Sequence, residues 1–180
     1  RDDWGGIVTW TGPDGEVSHT FNAQGQRISG SLDNAPVTYT VDPRGIGHLV
    51  SLRSQGGDLL LTCPRSRYVE GCYGDATEPN YFIFDGQGSV VAVVDQSGAV
   101  LNRYAHTPFG VELQNDETVA NPFTWLGGHG VMDDGQGVFF MRARSYLADV
   151  GRFMSADPKG IGGGDLNLYA YVGGQVTTRT

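Results

Sequence analysis

Apolar residues along this chain come in short runs rich in β-branched and aromatic side chains. The runs are Ile7-Val8-Thr9-Trp10, Val37-Thr38-Tyr39-Thr40-Val41, Asp58-Leu59-Leu60-Leu61-Thr62, Tyr81-Phe82-Ile83-Phe84, Ser89-Val90-Val91-Ala92-Val93-Val94, Val100-Leu101-Asn102-Arg103-Tyr104 and Val138-Phe139-Phe140-Met141-Arg142. Such side chains fit a pleated, half-buried surface, so each run predicts a strand. Apolar residues never keep helical spacing for three turns without Gly or Pro intervening, and no amphipathic helix is expected.

The segments between the runs repeat a pattern. Asn22-Ala23-Gln24-Gly25, Asp42-Pro43-Arg44-Gly45, Asp85-Gly86-Gln87-Gly88, Asp95-Gln96-Ser97-Gly98 and Asp134-Gly135-Gln136-Gly137 all read Asx-x-x-Gly. In a type I turn the leading carboxylate or amide accepts backbone N–H groups, and glycine takes the left-handed residue at the end. That geometry closes a short hairpin with a glycine bulge. Asp42, Asp85, Asp95 and Asp134, with Gly45, Gly88, Gly98 and Gly137, are therefore predicted turn residues. Repeated hairpins cannot bury an apolar face alone and must shelter one another. The expected fold is all-β: serial antiparallel hairpins in a twisted, wound sheet, with edges exposed unless closed or covered.

Composition narrows the function classes. The 180 residues include 28 Gly and 8 Pro, and only 18% are charged, which suits turns and strands. A net charge of -8 disfavours nucleic acid and anionic membrane surfaces as partners. No apolar segment approaches the ~20 residues of a bilayer span. The start Arg1-Asp2-Asp3-Trp4 carries no signal-peptide pattern, so a mature product or a piece of something longer is expected. Cys63 and Cys72 flank turn-forming residues and are expected to close a disulfide, which points to an oxidising compartment. Without a histidine pair they make no zinc site.

Further residues carry a family resemblance. Tyr81 to Gly98 resembles a YD-repeat unit, and Arg103-Tyr104-Ala105-His106-Thr107-Pro108-Phe109-Gly110 resembles the next unit with its Pro-Phe-Gly turn. Asn121-Pro122-Phe123-Thr124-Trp125-Leu126-Gly127, Arg142-Ala143-Arg144-Ser145-Tyr146, Gly151-Arg152-Phe153-Met154-Ser155-Ala156-Asp157-Pro158-Lys159-Gly160 and Gly163-Gly164-Asp165-Leu166-Asn167-Leu168-Tyr169-Ala170-Tyr171 follow in the order of an Rhs-associated core domain. The chain thus resembles the Rhs/YD-repeat family. That family comprises polymorphic toxin shells, toxin-complex C components and teneurin-like shells. The organisation implied is degenerate hairpins over 1–80, well-matched repeats over 81–120, the associated core over 121–174 and a tail over 175–180.

The resemblance implies a secreted, extracellular or cell-surface shell segment that encloses or presents a C-terminal effector. Its partners would be other YD repeats of the same or a longer chain. A self-assembling fibre built by head-to-tail strand addition is the alternative, and an adhesion or glycan-binding module on Trp4, Trp10 and Trp125 is a third. Where the family pattern has Tyr-Asp-Pro, this chain has Tyr146-Leu147-Ala148. Asp157 matches one carboxylate of the aspartyl pair in self-cleaving members. The second Asp-Pro-x-Gly motif is missing, so Asp157 and Gly160 are expected to form a turn and no enzyme is expected. His19, His48, His106 and His129 are scattered, Asp133-Asp134 lacks the ligand series of a calcium loop, and Gly160 to Gly164 lacks a following helix and Lys-Ser/Thr. No metal, phosphate or cofactor site is expected. Arg142, Arg144 and Arg152 are expected to stack on aromatics or bond carbonyls.

Overall fold

A computed structural model of the chain describes residues 9–12, 15–23, 26–32, 35–42, 48–54, 57–63, 69–73, 79–141, 144–163 and 166–174. β1 (Thr9–Gly12) and β2 (Gly15–Ser18) pair as a hairpin of their own. A second sheet takes β3 (Thr20–Phe21), β4 (Arg27–Leu32), β5 (Ala35–Asp42), β6 (His48–Ser54), β7 (Leu59–Thr62), β8 (Gly71–Tyr73), β9 (Pro79–Phe84), β10 (Val90–Val94), β11 (Val100–His106) and β12 (Glu112–Asp116). Its ten strands lie in sequence order, each antiparallel to its neighbours. β9 runs through position 80, so one sheet spans the weakly and strongly matched repeats. A third sheet orders β13 (Met132–Asp133), β14 (Val138–Met141), β15 (Arg144–Leu147) and β16 (Arg152–Phe153) in the same way. The class is all-β, as the strand and turn pattern predicts; the helical elements among the described residues are short 3₁₀ turns.

The turns explain the serial order. Asp85 Oδ1 accepts the N–H groups of Gln87 at 2.9 Å and Ser89 at 2.8 Å, while the Gly88 N–H donates to Asp85 O at 3.2 Å. Asp95 repeats this with Ser97 at 2.8 Å, Ala99 at 2.9 Å and Gly98 at 3.0 Å. Gly88 and Gly98 sit at φ +86° and +83°, the left-handed region that costs glycine least. Two further corners use hydroxyl acceptors. Ser54 Oγ accepts from Asp58 N at 3.1 Å with Gly57 at φ +91°, and Thr107 Oγ1 accepts from Val111 N at 3.0 Å with Gly110 at φ +86°. Any short side-chain oxygen performs the capping, so the Asx pattern recognised only part of the set. Asn22 keeps the capping bond to Gln26 N at 2.9 Å. Gly25 and the turn from Asp42 to Gly45 lie outside the described residues; Asp42 itself ends β5.

Alternation sets the inner face. Val37, Leu52, Phe82, Val93 and Tyr104 are buried there, whereas Tyr81 and Ile83 are both 47% exposed on the opposite side. Register shifts interrupt the pairing at Thr20/Phe21, Thr40/Val41, Leu52/Arg53, Val90/Ala92, Val93/Val94 and Ala105/His106. Each bulge bends and twists its strand, which gives a long meander its coil. Residues 117–141 then cross the inner face as a plug. Half of the buried apolar side chains among the described residues lie between Phe123 and Phe153, so the plug and the third sheet supply much of the core.

Candidate functional site

The seam between plug and sheet is where the chain concentrates its buried polar chemistry. It begins at Asn102 on β11, which is 1% exposed. Asn102 Oδ1 accepts from Thr118 N at 2.8 Å and Val119 N at 3.1 Å, and its Nδ2 donates to Val119 O at 2.7 Å. The Tyr104 hydroxyl donates to Glu117 Oε1 at 3.1 Å, and that oxygen also accepts from Asn121 N at 2.7 Å. Burial, with the Glu117 carboxylate adding to it, pushes the Tyr104 hydroxyl upward in pKa, keeping it a neutral donor. This network turns the chain off β12 and onto the sheet. Asn121 caps the next step, accepting from Phe123 N at 3.0 Å and donating to Phe123 O at 2.7 Å.

Across the middle, backbone groups pair plug with sheet as an extra ladder would. Val90 N donates to Thr124 O at 2.9 Å, Gly128 N to Gly88 O at 3.0 Å and Val69 N to Gly128 O at 3.1 Å. Leu126 N reaches Ser89 Oγ at 3.2 Å. Trp125, fully buried, stacks on Tyr146 with ring centroids 5.0 Å apart and meets Phe139 and Tyr171 edge-on at 5.2 and 5.6 Å. A Cβ on Gly110 would stand 2.7 Å from the Trp125 ring, so that turn glycine is required twice over. The Tyr146 hydroxyl donates to Phe109 O at 2.8 Å and fastens the third sheet to the same turn. Trp125 is thus core rather than part of an exposed sugar platform. Trp4 and the side chain of Trp10 lie outside the described residues.

At the far end the plug meets the first strands of the sheet. The Arg27 guanidinium donates to both Asp134 oxygens, Nη1 at 2.6 Å and Nη2 at 2.7 Å, across 107 positions of sequence. Its carbon lies 3.8 Å over the Phe140 ring, and His19 Nε2 is 3.2 Å from Asp134 Oδ2. Burial alone would raise the Asp134 pKa, but Arg27 and His19 outweigh it and hold the carboxyl down at about 2. Burial likewise works against the Arg27 charge, and Asp134 more than offsets it. The sequence pattern casts Asp134 as the capping carboxylate of its turn. The structure corrects that: Asp133 Oδ1 takes the Gly135 N–H at 2.8 Å, because the Asp134 side chain is drawn into the ion pair. Gln136 and Gly137 are left-handed, at φ +55° and +72°, giving the mirror-image hairpin turn instead of type I.

Asp133 also accepts from the Thr124 hydroxyl at 3.0 Å. Burial pushes its carboxyl up to about 6, with Asp134 and Glu112 adding like charge. It faces a cavity of about 550 Å³ bounded by the plug, strands β4 to β7 and β12, lined by Tyr39, Leu52, Leu61, Glu112, Met132 and Phe139 among others.

The remaining predicted residues lie elsewhere. Asp157 Oδ1 accepts from Lys159 N at 2.8 Å, and Gly160 N donates to Asp157 O at 2.9 Å, a capped turn that leads into a 3₁₀ turn rather than a strand. Asp157 Oδ2 pairs with Arg144 Nη2 at 3.2 Å, and Arg144 stacks 3.5 Å over Phe153. Arg152 is exposed, and Arg142, Asp165 and Gly164 lie outside the described residues. His106 packs edge-on to Phe139 at 6.2 Å, where burial lowers its pKa, and His129 Nε2 lies 3.1 Å from Gln87 O. His48 lies on β6; its side chain is outside the described residues. Cys63 and Cys72 are joined, with S–S at 2.12 Å. Among the described residues no group of three or more His, Cys, Asp or Glu is placed to hold a metal ion. No helix among them is long and apolar enough to cross a membrane. Asn102 and Arg27 were not legible as site residues: each lies alone in a strand, and its partner is distant in sequence.

No family model matches the chain. Among curated proteins it is 29% identical over 105 residues to the tRNA3(Ser)-specific nuclease WapA of Bacillus spizizenii, a match covering 55% of this chain and 4% of that protein. Among solved structures it resembles TcdB2-TccC3 without its hypervariable C-terminal region, with a TM-score of 0.66, 16% identity, and coverage of 91% of this chain and 8% of that one. It also resembles the Tc holotoxin pore of Photorhabdus luminescens carrying a substituted TccC3, with a TM-score of 0.65, 16% identity, and coverage of 100% and 9%. The chain therefore has the fold of a small portion of these toxin-complex chains. It spans under a tenth of the length of each of these proteins.

Proposed function

We propose that the chain is a structural segment of a secreted, toxin-associated Rhs-type β-shell, in which the plug seals the inner face of a long coiled sheet. One observation carries the reading: residues 117–141 lie across the ten-stranded sheet and are tied to it at both ends, by Asn102 and by Arg27. A wall closed on its inside by its own C-terminal portion suits a container for, or a platform presenting, a C-terminal effector. The partners are then further repeats of a longer chain, continuing from β3 and β12, the terminal strands of the sheet among the described residues. The likeness to TcdB2-TccC3 over most of the chain supports this assignment. Asp157 acts as a turn and ion-pair residue, and the segment works without catalysis.

Electron microscopy of the full-length gene product tests the reading. Discrete hollow particles whose wall accommodates this fold are expected. Long filaments of repeating subunits would replace it with the fibre reading, which the same two terminal strands favour. Asp157→Asn should leave the product's mass unchanged relative to wild type; a cleavage that this substitution abolishes would assign Asp157 a protease role.

A further inference from the structure

The disulfide sits where the repetitive sheet meets the plug. Cys63 directly follows β7 and Cys72 lies in β8, opposite one another beyond the Thr62↔Tyr73 pair, with Cα atoms 4.2 Å apart. Both are buried, at 1% and 3% exposure, in the cluster that holds Val69, Phe82, Val90 and Phe123. Inside the ring that the bond closes, the Val69 N–H donates to Gly128 O of the plug at 3.1 Å, and Glu70 O accepts from Phe82 N at 2.9 Å. The cross-link therefore constrains the segment that presents one of the plug's anchors.

We propose that Cys63–Cys72 is a redox-sensitive clasp on the plug. With the ring closed, Val69 is held in the core and its N–H faces Gly128. A thiol reductant opens the ring by exchange. Its thiolate attacks one cysteine sulfur and forms a mixed disulfide, while the other cysteine sulfur departs as a thiolate and takes up a proton. A second reductant thiolate then attacks the reductant sulfur of that mixed disulfide and releases the remaining cysteine as a thiolate that is protonated in turn. Two protein thiols result, and the reductant leaves as its own disulfide. The freed segment regains the conformational entropy that the short ring withheld, a shift of roughly a hundredfold toward the open state by loop-closure arithmetic. The response is local, because Val90 to Thr124 and Gly128 to Gly88 do not depend on the ring. The clasp is thus tight in oxidising surroundings and loose in a reducing cytosol, independently of whether the chain forms a shell wall.

Hydrogen exchange on the oxidised chain, the dithiothreitol-reduced chain and a Cys63→Ala/Cys72→Ala double variant tests this. The amides of Val69 and Phe82 should exchange about a hundredfold faster on reduction, while Gly98 and Gly110 keep their rates. The double variant should match the reduced protein and ignore dithiothreitol; if it fails to fold, the reduced wild type decides alone. Equal rates at Val69 and Phe82 in both redox states overturn the proposal. So does an equal acceleration at Gly98, which would mean global destabilisation, or alkylation of either cysteine without reductant.

Discussion

The ten-stranded sheet and the plug that covers it are built by opposite means. In the sheet, each strand pairs with the one before and after it, and the corners at Ser54, Asp85, Asp95 and Thr107 are each closed within five residues by one short side-chain oxygen and one left-handed glycine. In the plug, nearly every decisive contact is distant: Asn102 with Val119, Gly88 with Gly128, Trp125 with Tyr146 and Arg27 with Asp134. The sheet resembles a repeat array whose order follows from local geometry. The plug is a packing problem, and its aromatic core is what turns an open ribbon into a structure with an inside.

The sharpest way to break that contrast is to damage the plug. Trp125→Ala should cost about 3–5 kcal/mol, the range for a large buried aromatic, and urea denaturation measures it. A loss near ~1 kcal/mol would mean that the sheet stands without its plug. Arg27→Ala leaves the buried Asp134 carboxylate with only His19 beside it, for an expected loss of about 3–5 kcal/mol, whereas Arg27→Met with Asp134→Leu should recover most of it. A double-mutant cycle that finds no coupling would show that the two ends are not latched.

Acidity separates the regions more gently. The Asp133 carboxyl is raised by burial to about 6 in the folded chain, so the fold favours its protonated form. Its contribution is complete below the ordinary carboxylate value and lost as pH rises through about 6. Unfolding free energy should therefore fall between about pH 4 and 7 by at most ~3 kcal/mol, since each tenfold difference in acidity between the folded and unfolded chain is worth about 1.4 kcal/mol. Asp133→Asn should flatten that slope. Asp134 acts in the opposite sense and only in strong acid, since its held-down carboxyl keeps the ion pair until pH falls through about 2. The smallest effect belongs to the repetitive region. Asp85→Ala removes two capping bonds and should cost about 1 kcal/mol, with β9 and β10 still paired in exchange experiments. Loss of that pairing would mean that the corner, rather than the strands, holds the hairpin.

Local sequence was sufficient for the class of fold, the serial order of the hairpins and the glycine corners at Gly88 and Gly98. Those features depend on interactions within about five residues, and backbone sterics leave few alternatives. The cysteine pair was legible too, because its flanking turn residues permit a short ring. Folding in three dimensions was needed to show that Asp134 leaves its turn for Arg27, that Asp133 takes the capping role with a pKa raised toward neutrality, and that Trp125 is core. Ser54 and Thr107 replaced Asx because the turn requires an acceptor oxygen, not a particular residue. The plug's partners lie up to 107 positions away, where no periodicity connects them, and only the coiling of the sheet brings them within reach.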